Sequence, residues 1–238
     1  MVNDWLARTK SLIGEDSVAI LQKSKVAVIG LGGVGGSACE ALCRAGIGSL
    51  LIADFDTVDI TNLNRQIIAT VDSVGRKKTE VMKERLRVIN PDISITSVDK
   101  FISEESGDAV FGYSPDFIVD AVDSVSAKLY IIKKAQELSI PVISCMGTGN
   151  RTDPTKLRVG KIEDTLGNGC PLARIMRKES SKRGISSFKT IYSTEIPAKV
   201  SCGDAGGKHS PASISFVPPV AGYIIASEVV KELLAKYK

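Results

Sequence analysis

The chain has 238 residues, of which 43% are hydrophobic and 24% charged, and its net charge is +4. That length and apolar share suffice for one sizeable core, so one large α/β domain is the natural count. The mild charge neither announces nor discourages a polyanionic partner. Met1-Val2-Asn3-Asp4-Trp5 lacks a secretory pattern and no apolar run is long enough to span a bilayer, so a cytoplasmic protein is expected.

From Asp4 to Gln22 the apolar positions Trp5, Leu6, Leu12, Ile13, Val18, Ile20 and Leu21, interrupted at Gly14, predict two short helices. Arg8 falls on the first, where by residue type alone it reads as a solvated charge. Lys25-Val26-Ala27-Val28-Ile29 is a β-branched run that passes into Gly30-Leu31-Gly32-Gly33-Val34-Gly35-Gly36 and then into helical composition. The pattern is strand, phosphate loop, helix. Gly30 allows the tight turn, Gly32 and Gly33 let backbone approach a phosphate, and amides from Gly35 onward face the negative charge. By itself the loop does not say which nucleotide, and a plain glycine-rich βα turn is the bland alternative.

Ser49–Ala53 reads as the next strand, ending in Asp54-Phe55-Asp56, with Asp54 about 20 residues beyond the glycines, where an acid suits a ribose diol. A polar run, Asp56-Thr57-Val58-Asp59-Ile60-Thr61-Asn62-Leu63-Asn64-Arg65-Gln66, follows, and Gly75-Arg76-Lys77-Lys78 heads an amphipathic helix over Lys77–Asn90 that Pro91 stops. Arg65 as a bidentate fork and Lys78 as a point charge suit a triphosphate; hydride transfer needs neither. Ile93–Val98 predicts a strand and Ser103–Asp108 a loop or short helix.

Phe117–Asp123 is a buried-strand pattern ending in acids, at the edge where open parallel sheets place ligands. Asp123 is a candidate magnesium ligand or the N-cap of a helix over Val125–Leu138, with Ser124 an alternative cap. Ile140–Met146 adds a strand, so the alternation predicts a doubly wound, mostly parallel sheet, and Lys156–Lys161 an antiparallel extension. Cys170-Pro171 reads as a helix start. With His209 the only histidine, neither Cys170 nor Cys202 has an expected activating partner, and His209 is read as a loop residue. Cys39 and Cys43, one helical turn apart, read as packing residues, and no C-x-x-C pair points to zinc.

Between Pro171 and Thr190 lie Arg174, Arg177, Lys178, Lys182, Arg183 and Lys189 against Glu179 alone, an excess that suits RNA phosphates or a solvated helix face. In the final run Pro219 opens a helix of core or subunit-interface type, and Glu228 and Lys231 count against membrane insertion.

Taken together, the glycine loop, Asp54-Phe55-Asp56, Thr61-Asn62-Leu63-Asn64-Arg65-Gln66, Gly75 to Lys78, Asn90-Pro91 and Asp120-Ala121-Val122-Asp123-Ser124 resemble the adenylating-enzyme superfamily of ubiquitin-activating type. The resemblance covers nearly the whole chain. It implies a Rossmann-like α/β fold with a C-terminal antiparallel extension and terminal helix, one adenylating domain with N-terminal helices over 1–24, a nucleotide-binding core over 25–155 and a substrate-side extension over 156–238. It implies ATP and Mg2+, with Asp54 on the ribose, Asp56, Asn62, Asn64, Arg65 and Lys78 around the nucleotide, Asp123 on the metal, and Arg8 reaching the other subunit's site in a homodimer. The lack of zinc cysteines, with Arg8-Thr9, Thr152-Asp153-Pro154-Thr155 and Ile191-Tyr192-Ser193-Thr194-Glu195-Ile196-Pro197, looks like the tRNA threonylcarbamoyladenosine dehydratase branch. The substrate so implied is a modified tRNA adenosine, dehydrated through an acyl-adenylate, with room for a sulfur-relay partner. Activation of a ubiquitin-like sulfur carrier, an NADP-dependent oxidoreductase and a non-catalytic nucleotide-binding adaptor stand as alternatives.

Overall fold

The computed structural model describes residues 4–200, 202–203 and 209–236. The glycine-led helix, α3 over Gly33–Ala45, follows β1 over Lys25–Ile29, after the paired short helices α1 (Ala7–Ile13) and α2 (Glu15–Lys23). Gly14 turns between those two with φ +89°, and Leu6 packs on Gly46 at the far end of α3. Strands β2 (Ser49–Ala53), β3 (Ser94–Val98), β4 (Phe117–Asp120) and β5 (Val142–Cys145) then alternate with α4 (Lys78–Ile89), the single turn α5 (Asp108–Phe111) and α6 (Val125–Glu137). Beyond β5 come β6 (Leu157–Lys161), α7 (Pro171–Lys182) and β7 (Lys189–Ser193). The small pair β8 (Cys202–Gly203) and β9 (His209–Ser210) is antiparallel, and α8 (Val217–Ala235) closes the chain.

The seven-stranded sheet has the order β3-β2-β1-β4-β5-β7-β6. Every neighbouring pair is parallel except β6 with β7, where Leu157 faces Ser193 and Lys161 faces Lys189. The Lys156–Lys161 run thus extends the sheet as an antiparallel edge. Strand period two divides the core: Val26, Val28, Leu50, Ile52 and Val119 join the cluster under α3, α4 and α8. Ala27, Ile29, Leu51 and Ile118 join a second under α5, α6 and α7. The order reverses between β1 and β4, so the crevice beyond their carboxyl ends is the expected ligand site of such a sheet.

Among the described residues, no helix is long and apolar enough to cross a membrane. Helix α8 instead buries Val217, Ala221, Ile225, Val229 and Leu233. It lies so close to α3 that a Cβ on Gly222 would stand 2.3 Å from the Val34 carbonyl oxygen.

Candidate active site

A cleft of about 1180 Å3 runs across the carboxyl ends of the central strands. Small-molecule pockets commonly span about 300–1,000 Å3, so it has room for a nucleotide and part of a second substrate. Of the sequence-predicted residues, Gly30, Gly32, Gly33, Asp54, Asp56, Asn62, Arg65, Lys78 and Asp123 all line it. They come from three strand-to-helix connections, β1–α3, β2–α4 and β4–α6.

Gly30 has φ +91°, and a Cβ there would lie 2.7 Å from the Ala121 carbonyl oxygen, so both backbone conformation and space require glycine. A Cβ on Gly32 would meet nothing within 4 Å, whereas one on Gly33 would lie 2.9 Å from Pro218 Cβ. The open face at Gly32 is where a phosphate can approach backbone at the start of the 13-residue α3. Gly33 serves packing as well.

At the end of β2, Asp54 accepts from Leu31 N at 2.6 Å and from Asp56 N at 2.9 Å, tying the strand end to the glycine loop. Burial pushes its carboxyl above the ordinary range, against the opposing pull of Lys78 and these two amides. Lys78 sits in the first turn of α4 with its side chain 7% exposed and pairs with Asp56 at 2.9 Å. Asn62 is buried in a one-turn 3-10 helix over Ile60–Asn62, where its Oδ1 accepts from Asp59 N at 3.1 Å. Arg65 Nη1 donates to Thr61 O at 3.2 Å and Asn64 Oδ1 at 2.9 Å. Asn64 does not line the cleft; it holds Arg65 and donates through Nδ2 to Ser213 O at 3.1 Å.

The strand before Asp123 ends at Asp120, three residues short of the expected end, because after Ala121, whose N still donates to Ile29 O at 2.8 Å, the chain leaves the ladder, and residues 121–123 form the cleft wall. Ser124 caps α6, its Oγ accepting from Ala127 N at 3.5 Å, which leaves the exposed Asp123 carboxylate clear of capping. Arg8 is exposed and does not line this cleft. Its helix lies toward the far end of α3, about 20 Å from the glycine loop by helical rise.

Two buried cations had no place among the sequence expectations. Lys128 is fully buried and pairs with fully buried Asp120 at 3.1 Å, while Ser144 Oγ donates to the same carboxylate at 2.5 Å and accepts from Lys128 at 3.3 Å. The available signal was that Lys128 shares a helical face with Ile132 and Ala135, a core face on which a solvated lysine does not belong. Arg151, 3% exposed, donates from Nε to Glu195 O at 3.1 Å and from Nη1 to Gly147 O at 2.6 Å and Gly149 O at 3.2 Å. It stitches the loop after β5 to the one after β7, and no local sequence signal marks it.

Cys39, Cys43 and Cys145 are buried; burial pushes the Cys43 thiol up to about 11 and that of Cys145 to about 12. Cys170 is the N-cap of α7, with Pro171 at the first turn as expected, and its Sγ accepts from Ala173 N at 3.4 Å. The side chains of Cys202 and His209 lie outside the described residues. The basic excess around α7 is partly absorbed by the fold: Lys189 pairs with Glu228 and Glu232, and Lys182 and Arg183 pair with Glu179. Arg174 and Lys178 stay exposed on its surface.

A doubly wound sheet whose switch-point cleft gathers a glycine loop, a ribose-type acid, two cations and a separate carboxylate defines a nucleotide-using α/β protein. The ThiF family model matches residues 6–238, and the chain belongs to the ThiF family. It is 38% identical over 240 residues to tRNA threonylcarbamoyladenosine dehydratase of Bacillus subtilis, covering 96% of this chain and 94% of that protein. The solved structure of Escherichia coli tRNA N6-threonylcarbamoyladenosine dehydratase in complex with ATP superposes with a TM-score of 0.87 at 33% identity, over 97% of this chain and 93% of that one. The sulfur carrier protein ThiS adenylyltransferase of Escherichia coli matches 58% of the chain and 54% of its own length, at 36% identity.

Proposed function

We propose that this chain dehydrates threonylcarbamoyl-modified adenosine in tRNA, using ATP. The substrate carboxylate lacks a leaving group. Its attack on the α-phosphate of ATP breaks the bond to the β-phosphate, releases pyrophosphate and yields an acyl-adenylate. Intramolecular attack on that activated carbonyl expels AMP and closes a ring, a net loss of one water that needs no enzyme nucleophile. The observation carrying this reading is the convergence of the open Gly32 backbone, Asp54, Arg65, Lys78 and Asp123 on one cleft. Near-full-length likeness to dehydratases, against half-length likeness to a carrier adenylyltransferase, favours tRNA over a carrier protein.

In this reading Asp54 holds the ribose, and Lys78 exchanges Asp56 for phosphate oxygens. Arg65 acts on the same phosphates with Asn62 and Asn64 positioning the loop, giving preorganised stabilisation of developing charge. Asp123 would hold magnesium. One free carboxylate beside a phosphate site suits that ion, which takes one or two carboxylates with substrate oxygens and water and supplies charge neutralisation at the phosphates. Arg8, remote from its own cleft, would serve the partner's site in a homodimer. A tRNA substrate accords with the expected cytoplasmic location, and the exposed Arg174 and Lys178 are available to RNA phosphates. Docking of a sulfur-relay protein is compatible with this reading, and no residue here is assigned to it.

Asp123→Ala should abolish modified-tRNA-dependent ATP–pyrophosphate exchange while leaving the thermal unfolding curve in place. Exchange at the wild-type rate would overturn the assignment. Offering the protein modified tRNA and, separately, a carrier protein, and measuring which drives AMP release, separates the two substrates.

A further inference from the structure

We propose that the half of the cleft beyond β5 is an anion subsite in which Arg151 receives the substrate carboxylate, the adenylyl acceptor, before adenylation; this rests on the proposed function. Three observations on independent atoms converge there.

The first is charge. Arg151 is 3% exposed, and among the described residues no carboxylate lies within ion-pair distance of it. Three backbone carbonyls solvate its Nε and Nη1, and Nη2 has no partner. A guanidinium keeps its charge at any working pH, so a buried one without a counter-ion leaves a positive potential that an arriving anion relieves.

The second is the company it keeps. Buried polar atoms are nearly always hydrogen-bonded. Six buried side-chain atoms lack a partner among the described residues; three of them, on Asn150, Arg151 and Ser213, belong to this half, and a fourth, on Asn168, borders it. Asn150, Arg151 and Ser213 line the cleft, as does Gly169 next to Asn168. Asn150 is held at φ +58°, a conformation few side-chain-bearing residues adopt. Arg151 Nη2, Asn168 Nδ2 and Ser213 Oγ are donors suited to a carboxylate. Asn150 Oδ1 is an acceptor suited to the neighbouring ureido N–H of a threonylcarbamoyl group.

The third is placement. The glycine loop, Arg65 and Lys78 belong to the β1 and β2 side of the sheet, and Arg151 to the loop after β5, with β4 and Asp123 between them. A carboxylate at Arg151 therefore faces the nucleotide across the β4 edge and does not compete with the triphosphate for its cations. In the step that follows, a carboxylate oxygen bonds to the α-phosphorus, the bond from that phosphorus to the bridging oxygen breaks, and pyrophosphate leaves with the electron pair. No proton is moved, so the subsite needs to supply only charge and direction.

The test is a thermodynamic cycle on the full chain. Wild type and Arg151→Met are titrated, without ATP, with tRNA carrying threonylcarbamoyladenosine and with the same tRNA whose carboxyl group is blocked as a methyl ester. Wild type should lose about tenfold in affinity on esterification, the scale of one charge-assisted hydrogen bond, and Arg151→Met should bind acid and ester alike. ATP affinity should be the same in both proteins. Equal sensitivity to esterification in the two proteins overturns the subsite, and so does a loss confined to ATP, which would make a phosphate the occupant. If Arg151→Met does not fold, the Asn168→Ala, Ser213→Ala double variant carries the same cycle, with ester sensitivity reduced at least about threefold expected and wild-type sensitivity overturning the proposal. Wild type that turns over the modified tRNA yet binds acid and ester equally defeats the subsite alone. Wild type inert toward the modified tRNA defeats the proposed function.

Discussion

Lys128 and Asp120 show how far a single residue departs from the rule for its type. An ion pair with both side chains fully buried gives weak net stabilisation, because desolvation offsets attraction, but removing one partner strands the other charge. Lys128→Met should therefore cost about 3–5 kcal/mol in urea unfolding, and the double variant with Asp120→Asn should recover a large part of it. A double variant no more stable than the single one would assign the loss to packing around Lys128 instead. Asp54 departs in the other direction. Its folded pKa is raised above the ordinary 3.8, so its contribution to stability is present only at low pH and is lost as pH rises through the folded value. At neutral pH the fold thus carries an ionised Asp54 at a cost, which suits an acceptor of ribose hydroxyls. On acidification the ATP-affinity gap between wild type and Asp54→Asn should close, beginning above the pH at which an exposed aspartate titrates. A gap constant through that range would remove Asp54 from ribose binding.

At the level of elements, the phosphate loop is held by a helix far away in sequence. Gly222 brings α8 against the first turn of α3, with a Cβ there only 2.3 Å from Val34 O and 2.9 Å from Ala38 N. Gly→Ala inside a helix ordinarily stabilises by up to about 1 kcal/mol, so the sign of Gly222→Ala is informative. Here the methyl meets backbone that cannot yield without moving α3, and we expect a loss of about 1–3 kcal/mol in thermal or urea unfolding, with weakened ATP binding. A stability gain would show that the two helices slide freely. The same logic explains the carboxyl end of β4, where Ser124 caps α6 and the strand stops at Asp120, so that Asp123 is presented to the cleft.

For the whole molecule, the proposed homodimer would complete the cleft with a second copy of the chain. Helix α1 has no buried residues, and Leu6 beside Arg8's turn packs on Gly46 at the end of α3 away from the glycine loop, so the proposed role of Arg8 is in the partner's site. Mixing inactive Arg8→Ala and Asp123→Ala proteins should then restore modified-tRNA-dependent AMP release to about a quarter of wild type, since half of randomly formed dimers are mixed and one of their two sites is complete. No recovery, with mixed dimers demonstrated by differential tagging, would remove Arg8 from the partner's site.

Local pattern was enough for the strand-loop-helix unit, the alternation of strands and helices, the break at Gly14 and the antiparallel run before Lys161, because glycine conformation, side-chain period and helix capping act over a few residues. The cleft residues Gly30, Asp54 and Lys78 were legible for the same reason, each following its own strand or heading its own helix, and Asn62, Arg65 and Asp123 because they sit in polar runs on those same connections. Tertiary structure alone decided that Asn64 supports Arg65 instead of lining the cleft, that Lys189 turns from the basic stretch to Glu228 and Glu232, and that Lys128 and Arg151 are buried. Those outcomes depend on which distant carboxylate or carbonyl the sheet order brings within reach, and a charge's burial is a property of its neighbours in space that no spacing along the chain records.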